Sequence, residues 1–289
     1  MNVFGTGLNG LIGSRVVEFL ENSFKFTNVS LETGIDITDS ETITNLISKS
    51  PADWVFHFAA FTDIDKSEID KKNGKNGLVW RINTEATRVI CEACKKYNKK
   101  LLYISTDFVF EGNKEIYNED DIPNPIGWYG ITKYEGEKFV ARLNQNGLII
   151  RIANPYRSNW SGKADFVHRI LQLLTSGNEV SAPSDQIFTP TFIDDIAAAI
   201  KILTKNDASG IFHITGSKAL SPYEAIVDIC RVFKLDFQKI NKDTYTNFWK
   251  GRAPRPFYAN LKSVKIKKFG ITMKSFTEGL EIIKLQESS

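Results

Sequence analysis

A tyrosine and a lysine four residues apart are the first side chains whose types and spacing could do chemistry. Tyr129 and Lys133 lie in the stretch WYGITKYEGE, and on a helix this spacing brings both side chains to one face. A phenol with a pKa of about 10 is a poor acid at neutral pH, but a neighbouring ammonium favours the phenolate and lowers that pKa. The pair therefore predicts a proton donor, and Lys133 can also hydrogen-bond a cofactor ribose.

Two hydroxyls precede this pair at the end of a predicted strand. The segment LLYIST, residues 101–106, ends with Ser105 and Thr106. In a doubly wound sheet, ligands bind outside the carboxyl ends of the strands. These hydroxyls are therefore expected to meet the same ligand as Tyr129 and Lys133.

A glycine-rich stretch, TGLNGLIG at residues 6–13, follows a predicted strand and opens a predicted helix. In that context Gly7 can turn sharply off the strand, Gly10 lets the backbone approach a pyrophosphate, and Gly13 lets helix and strand pack closely. The helix N-terminus offers free N–H groups and a partial positive charge to the phosphates. The stretch predicts a dinucleotide site.

Two acidic residues follow the second predicted strand. Glu32 is placed to accept from adenosine ribose hydroxyls and to repel a 2′-phosphate, which favours NAD(H) over NADP(H); a plain loop carboxylate is the competing interpretation. Asp36 is a candidate adenine contact, and its competing interpretation is a turn in which Thr38 or Asp39 caps the next helix.

Apolar segments alternate with amphipathic ones through the first half of the chain. Strands are predicted at residues 3–5, 29–31, 54–58, 101–105 and 148–152, and helices at 11–20, 41–48, 86–97 and 134–143. This alternation is typical of parallel strands joined by crossover helices. The predicted fold class is α/β, a doubly wound, Rossmann-like parallel sheet with a smaller α/β substrate-binding lobe.

The regular alternation loosens beyond residue 153, where prolines separate the predicted segments. Helices are predicted at about 165–175, 193–203, 222–233 and 275–284. We expect a dinucleotide-binding domain over residues 1–153, with segments around 186–215 returning to it, and mainly a substrate-binding lobe over 154–289. The stretch KKNGKNG, residues 71–77, predicts a mobile loop.

Composition excludes several classes of function. The 289 residues include 37 Lys plus Arg and 34 Asp plus Glu, a net charge of +3, so neither nucleic acid nor membrane is an expected partner. Three cysteines make no disulfide framework, and Cys91 and Cys94 are expected to be helix thiols. No apolar run of membrane-spanning length exists, and we expect a cytoplasmic protein.

The histidines do not predict a metal site. His57 lies in an apolar strand as a satisfied core residue, and His168 and His213 have no Cys, His or Asp partner at ligand spacing.

Taken together, these motifs resemble the extended short-chain dehydrogenase/reductases, and within them the dTDP-4-dehydrorhamnose reductase family, over nearly the whole chain. The resemblance is carried by TGxxGxxG at 6–13, AAFT at 59–62, DKSE at 65–68, STDFVFEG at 105–112, YGITK at 129–133, DQ at 185–186 with TPT at 189–191, and RP at 255–256 with NL at 260–261.

The resemblance implies a catalytic triad of Thr106, Tyr129 and Lys133. Combined with the motifs above, it assigns sixteen residues to the cofactor: Gly7, Gly10, Leu11, Ile12, Gly13, Glu32, Asp36, Ile37, Ala59, Ala60, Thr62, Asn83, Ser105, Tyr129, Lys133 and Asn154. It assigns a second set to the substrate: Thr106, Asp107, Phe108, Val109, Gln186 and Arg255.

The implied activity is reduction of a nucleotide-linked 4-keto-6-deoxysugar by NAD(P)H, with NAD(H) favoured. Tyr129 would protonate the developing alkoxide while Thr106 hydrogen-bonds that oxygen. The implied partner is the nucleotide sugar, and a homodimer is a candidate assembly.

Two departures from the family pattern keep alternatives open. The segment RIANPY, residues 151–156, is more similar to sugar-nucleotide epimerases, and Phe188 stands where a glycine is common. One alternative is an NAD-dependent epimerase or dehydratase that returns its hydride to the sugar. The other is a non-catalytic dinucleotide-binding regulatory subunit, similar to the methionine adenosyltransferase β subunit.

Overall fold

The computed structural model describes residues 1–159, 162 and 164–287. The strands in this part of the chain are β1 (Asn2–Thr6), β2 (Lys25–Val29), β3 (Trp54–His57), β4 (Lys100–Thr106), β5 (Gly147–Ile152), β6 (Pro155–Tyr156), β7 (Val180–Pro183), β8 (Ile187–Phe188), β9 (Thr191–Phe192), β10 (Gly210–His213), β11 (Ile240–Asp243) and β12 (Tyr258–Ala259).

Helices connect these strands over the same part of the chain. They are α1 (Leu11–Leu20), α2 (Ser40–Lys49), α3 (Ile64–Asp70), α4 (Leu78–Trp80), α5 (Ala86–Lys96), α6 (Trp128–Ala141), α7 (Phe166–Thr175), α8 (Ile193–Lys205), α9 (Pro222–Phe233), α10 (Tyr245–Phe248) and α11 (Phe276–Glu287).

Six parallel strands form the central sheet, in the order β10-β5-β4-β3-β1-β2. One face of this sheet packs against α1 and α8 through residues such as Val16 and Ile196. The other face packs against α2 and α5 through Ile43 and Ile90. Covering both faces keeps the apolar strands out of water, and the predicted doubly wound α/β fold is confirmed.

A third apolar cluster lies among α7, α9 and α11 and includes Ile170, Ile229 and Leu280. Three short parallel strand pairs accompany it, β11 with β7, β12 with β8 and β6 with β9. The chain also returns to the central sheet in this half, because β10 pairs with β5.

The second strand differs from its predicted position at residues 29–31. It covers Lys25–Val29, and a 3-10 turn at Leu31–Thr33 follows it. β2 is an edge strand whose side chains alternate between exposed and more buried positions, so it has no continuous apolar run that a sequence pattern could detect.

Two further segments differ from their predictions. The expected mobile loop at 71–77 is a 3-10 helix at Lys71–Asn76, followed by α4, whose Val79 N–H donates to the Asp70 carboxylate at 2.9 Å. The helix predicted over 134–143 begins earlier, at Trp128, so it includes both Tyr129 and Lys133.

Candidate active site

Helix α6 lies close to the carboxyl end of β4 because glycines interrupt its packing face. A Cβ atom on Gly130 would lie 2.1 Å from the Phe108 carbonyl oxygen, and one on Gly136 would lie 2.5 Å from the Tyr103 hydroxyl oxygen. These approaches exclude any side chain at either position. They bring the first turns of α6 against the residues that follow β4.

Thr106 and Tyr129 meet where β4 ends. The Thr106 hydroxyl donates to Asp107 Oδ1 at 2.9 Å and accepts from the Phe108 N–H at 3.2 Å. The ring of Phe108 packs edge-on against the ring of Tyr129, with centroids 5.6 Å apart. Tyr129 is therefore held beside the hydroxyl that the sequence predicts as its partner.

Burial raises the pKa of Tyr129 above its usual value, and a hydrogen bond with Thr106 acts in the opposite direction. The sequence predicted a pKa lowered by the Lys133 ammonium, and that direction is wrong for this structure because the cost of burying a phenolate dominates. The phenol keeps its proton at neutral pH, the state that a proton donor requires.

Lys133 is 3% exposed and follows Tyr129 by about one turn of α6. Burial lowers its pKa to about 7, while the nearby Glu137 carboxylate acts to raise that pKa. The ammonium nitrogen is 4.0 Å from the centre of the Tyr103 ring. Its charge is thus stabilised by the face of an aromatic ring as well as by Glu137.

Two buried polar atoms at the end of β4 have no hydrogen-bond partner among the described residues: Ser105 Oγ and Asp107 Oδ2. Asp107 is 2% exposed, and burial raises the pKa of its carboxyl to about 7. An unpartnered buried oxygen costs free energy unless a ligand satisfies it. These atoms therefore fit a ligand that binds beside Thr106 and Tyr129.

The glycine-rich turn between β1 and α1 is built for close approach. Gly7 has a φ of 69°, and a Cβ atom there would lie 2.4 Å from the Ala59 backbone nitrogen. A Cβ atom on Gly13 would lie 2.3 Å from the Gly7 carbonyl oxygen, and Gly10 is the N-cap of α1. The turn, the helix N-terminus and the Ala59 backbone form a cradle that fits a pyrophosphate.

The acidic residue after β2 is in contact with this turn. The Glu32 carboxylate is exposed and accepts from the Asn9 side-chain amide, whose oxygen in turn accepts from Asn28 Nδ2 at 2.6 Å. Asp36 accepts from the Thr38 N–H at 2.8 Å, and Asp39 caps α2. The structure therefore has the turn and helix cap of the competing interpretation.

Other predicted cofactor residues divide between the cradle and the core. Ala59 and Ala60 are partly buried, Thr62 is exposed, and Leu11 and Ile12 pack partly buried against the apolar cluster around α1. Ile37 is 8% exposed, and its side chain packs in the apolar cluster beside α2. Asn154 adopts a φ of 39° between β5 and β6.

The Asn83 side chain is fully engaged in internal hydrogen bonds. Its oxygen accepts from the Phe61 N–H at 2.8 Å, and its nitrogen donates to the Phe61 carbonyl and the Thr132 hydroxyl, each at 3.1 Å. Asn83 therefore holds the loop after β3 against α6. The structure gives Asn83 a positioning role, and its predicted contact with the cofactor stays a prediction.

Three predicted substrate residues have side chains committed elsewhere. Val109 is fully buried in a small apolar cluster with Phe110. Gln186 donates to the Pro256 carbonyl at 2.9 Å and accepts from Trp249 at 2.8 Å. Arg255 is 7% exposed and donates to Asp65 Oδ2 at 2.9 Å. Thr106, Asp107 and Phe108, in contrast, all lie beside Tyr129.

The side chains of His57 and His168 contact hydroxyl and carboxylate groups of the protein. His57 lies 2.7 Å from the Thr6 hydroxyl and 3.0 Å from the Thr87 hydroxyl, as predicted for a satisfied core residue. His168 does have an acidic partner, contrary to prediction, since its Nδ1 lies 2.9 Å from Asp165 Oδ1. Over residues 1–159, 162 and 164–287, no cluster of three metal-binding side chains occurs.

The two thiols of α5 are both buried, and burial raises their pKa values, so the prediction that they are helix thiols is confirmed. No helix in the described part of the chain is long and apolar enough to cross a membrane.

One residue that supports the catalytic helix, Glu137, was missed at the sequence level. Glu137 is 3% exposed on the side chain and binds Arg151 through two hydrogen bonds, at 2.7 and 2.9 Å. The only available signal for Glu137 was its spacing of four residues from Lys133 on one helix.

The protein is an NAD(P)-dependent oxidoreductase of the extended short-chain dehydrogenase/reductase class. Three features define this class here: the parallel sheet, the glycine cradle and the cluster of Thr106, Tyr129 and Lys133. Residues 1–287 match the model of the RmlD substrate binding domain family, and the chain belongs to that family.

Three similar proteins illustrate the range of this family. A probable low-salt glycan biosynthesis reductase, Agl14 of Haloferax volcanii, is 30% identical over 80% of each chain. The dTDP-4-dehydrorhamnose reductase of Bacillus anthracis, crystallised in complex with NADP, is 28% identical and aligns over 99% of each chain with a TM-score of 0.90. Methionine adenosyltransferase 2 subunit beta of Xenopus tropicalis is 27% identical over 92% of this chain and 81% of its own.

Proposed function

We propose that the protein reduces the keto group of a nucleotide-linked 4-keto-6-deoxysugar, with Tyr129 as the proton donor. The observation that carries this proposal is the cluster at the end of β4, where Tyr129 retains its proton beside the Thr106 hydroxyl. A protonated phenol and a hydroxyl at one point are suited to an oxygen that gains negative charge during reduction.

Each side chain of the cluster has a separate role. Tyr129 donates the proton, and Thr106 orients the phenol and the reacting oxygen. Lys133, held beside the Tyr103 ring and near the Glu137 carboxylate, has an ammonium that can hydrogen-bond the cofactor ribose. The unpartnered Asp107 Oδ2 accepts a sugar hydroxyl. When bound, the nicotinamide dinucleotide supplies the hydride.

The cradle at Gly7, Gly10 and Gly13 holds the pyrophosphate of that dinucleotide through backbone N–H groups. Residues 1–153 with β10 serve as the dinucleotide-binding domain, and the apolar cluster among α7, α9 and α11 serves as the core of the substrate lobe.

A preference for NADH over NADPH is part of this proposal. The exposed Glu32 carboxylate, held by Asn9 at the rim of the cradle, suits ribose hydroxyls and repels a 2′-phosphate. Glu32→Gln is expected to tighten NADPH binding about tenfold relative to NADH, the effect of removing one charge repulsion in partial solvent. Glu41→Gln, at an exposed position on α2, is the matched control for loss of a surface carboxylate. An unchanged NADPH-to-NADH affinity ratio in Glu32→Gln would show that Glu32 does not discriminate between the ribose hydroxyls and a 2′-phosphate.

An epimerase or dehydratase remains the competing enzyme, and the segment at residues 151–156 favours it. In the structure Arg151 of this segment is buried and forms an ion pair with Glu137, so its side chain stabilises α6. A regulatory subunit is the competing non-enzyme, favoured by the methionine adenosyltransferase relative. Such a subunit would have no use for a phenol kept protonated beside an unpartnered carboxyl oxygen.

The test is oxidation of NADH and of NADPH against dTDP-, UDP- and GDP-linked 4-keto-6-deoxysugars. We expect net oxidation with at least one of these sugars. Conversion of the sugar without net oxidation would indicate an epimerase. Dinucleotide binding with no conversion of any sugar would indicate a binding subunit.

A further inference from the structure

Helix α3, Ile64–Asp70, joins the catalytic helix to a loop of the second half of the chain. Two of its carboxylates, Asp65 and Glu68, are three residues apart and so lie near one another on the helix surface. One binds the loop at residues 253–255, and the other binds the first turn of α6. Neither residue belongs to the predicted catalytic or binding set.

Glu68 caps the helix that carries Tyr129. The N-cap of α6 is Gly127, which has no side chain to satisfy the first free N–H groups of the helix. Instead, the Trp128 N–H donates to Glu68 Oε2 at 2.8 Å, while Lys71 holds the other carboxylate oxygen at 2.8 Å. A charged carboxylate at a helix N-terminus makes a strong cap. Because Tyr129 is the next residue, this contact fixes the position of the helix start from which the phenol projects.

Asp65 holds the loop from the opposite side. Its carboxylate accepts from the Ala253 N–H at 3.0 Å and from Arg255 Nη2 at 2.9 Å, and the guanidinium lowers the pKa of this carboxyl. Arg255 also donates to the Ala253 carbonyl at 2.6 Å, and its guanidinium lies 3.9 Å from the centre of the Trp249 ring. The loop is thereby attached to α3 through side-chain and backbone contacts.

The loop and the start of α6 also lie close to each other. A Cβ atom on Gly127 would lie 3.2 Å from the Pro254 carbonyl oxygen and 3.7 Å from Glu68 Oε2. Movement of the loop at Pro254 therefore cannot occur without a change in the space around the first turn of α6. A side chain at residue 127 would press on the Pro254 carbonyl, so the loop or the helix start would have to shift by a few tenths of an ångström.

We propose that Asp65 and Glu68 are positioning residues that couple the 253–255 loop to the placement of the Tyr129 phenol. The inference rests on the proposed role of Tyr129 as proton donor. When the loop is in place, Arg255 and Ala253 hold α3 through Asp65, and α3 holds the start of α6 through Glu68. Neither carboxylate touches the substrate, and both act through the geometry of the catalytic helix.

Hydrogen exchange on the protein without dinucleotide tests the coupling independently of activity. Glu68→Leu removes the cap, and we expect exchange of the Trp128 amide to accelerate about five- to tenfold, with partial rescue in Glu68→Gln, which keeps an acceptor oxygen. The decisive variant is Asp65→Asn, since the hydrogen bonds of the Asp65 carboxylate in the described structure go to Ala253 and Arg255 and not to α6; it is expected to accelerate the same amide. Glu135→Gln is the control, because Glu135 is only partly buried on α6 and pairs only with Lys138 in the described structure.

Steady-state kinetics form the second arm. A phenol displaced by about 1 Å loses on the order of a hundredfold in rate, so we expect Asp65→Asn and Glu68→Leu each to lower kcat by ten- to a hundredfold with dinucleotide affinity unchanged. The kcat of the double variant is expected to equal that of the less active single variant, because both substitutions act through one element.

Trp128 exchange in Asp65→Asn that equals the wild-type value would overturn the coupling, and so would additive losses of kcat in the double variant. If the wild-type protein reduced no sugar, the proposed function would fail while the exchange measurement would still decide the coupling. Circular dichroism of each variant verifies folding, and Glu68→Gln keeps the test available if Glu68→Leu does not fold.

Discussion

The Lys133 ammonium nitrogen lies 4.0 Å from the centre of the Tyr103 ring, within a region where both side chains are almost completely buried. Tyr103 comes from β4 and Lys133 from α6, so the contact joins the central strand to the catalytic helix. A buried lysine is costly to keep charged, and an aromatic face reduces that cost. The charge state of Lys133 is therefore sensitive to pH near neutrality.

Replacing Lys133 with methionine should change how stability depends on pH. The lysine has a folded-state pKa of about 7 and an unfolded-state pKa of about 10.4, so the unfolded chain binds the extra proton between these values. Burying the Lys133 ammonium lowers the unfolding free energy of the wild type by the full amount below pH 7. This loss disappears as the pH rises toward 10. Lys133→Met is expected to be more stable than wild type at pH 6, with the advantage shrinking by up to about 1.4 kcal/mol per pH unit above pH 7. Urea unfolding across this range measures it, and a pH-independent difference would contradict the buried-ammonium account.

The buried pair of Glu137 and Arg151 should be far more important than an exposed pair on the same helix. Glu137→Gln leaves the Arg151 guanidinium buried without its carboxylate, and we expect a loss of about 3–5 kcal/mol in unfolding free energy. Glu135→Gln breaks the exposed contact with Lys138 and should cost less than about 1 kcal/mol. Denaturant unfolding of the two variants provides the comparison. Equal losses would show that the Glu137 pair does not support α6.

Gly7 and Gly270 offer a matched test of the cradle. Both have positive φ, 69° and 67°, but a Cβ atom at Gly7 would strike the Ala59 backbone while the space beside Gly270 is open. Gly270→Ala should cost about 1–2 kcal/mol from backbone strain alone and leave dinucleotide binding intact. Gly7→Ala should cost more and abolish binding, as measured by calorimetric titration with NADH. Full NADH affinity in Gly7→Ala would place the cofactor elsewhere.

The parts of the site that were predictable from sequence depend on local patterns. The glycine turn, the alternation of strands and helices, and the four-residue spacing of Tyr129 and Lys133 are each written in neighbouring residues. The resemblance to a known family added Thr106, which the fold places beside Tyr129.

The remainder depends on contacts between residues that are distant in the chain. Glu68 and Trp128 are 60 residues apart, and Asp65 and Arg255 are 190 apart, so no spacing rule connects them. Arg255 was assigned to the substrate by the family resemblance, and no sequence pattern showed that Asp65 would be its carboxylate partner. Val109 was predicted for the same set, although the turn after β4 directs its side chain into an apolar cluster.

Hydride transfer from deuterium-labelled NADH or NADPH tests the central claim most directly, with wild type and Tyr129→Phe compared on a nucleotide-linked 4-keto-6-deoxysugar. We predict that wild type releases oxidised dinucleotide in equal amount to a product carrying deuterium at C4. General acid help is worth about 10²- to 10⁴-fold, so Tyr129→Phe should lose at least about a hundredfold in kcat while binding dinucleotide normally. Unlabelled product with no oxidised dinucleotide, or a Tyr129→Phe variant with the wild-type kcat, would contradict the account.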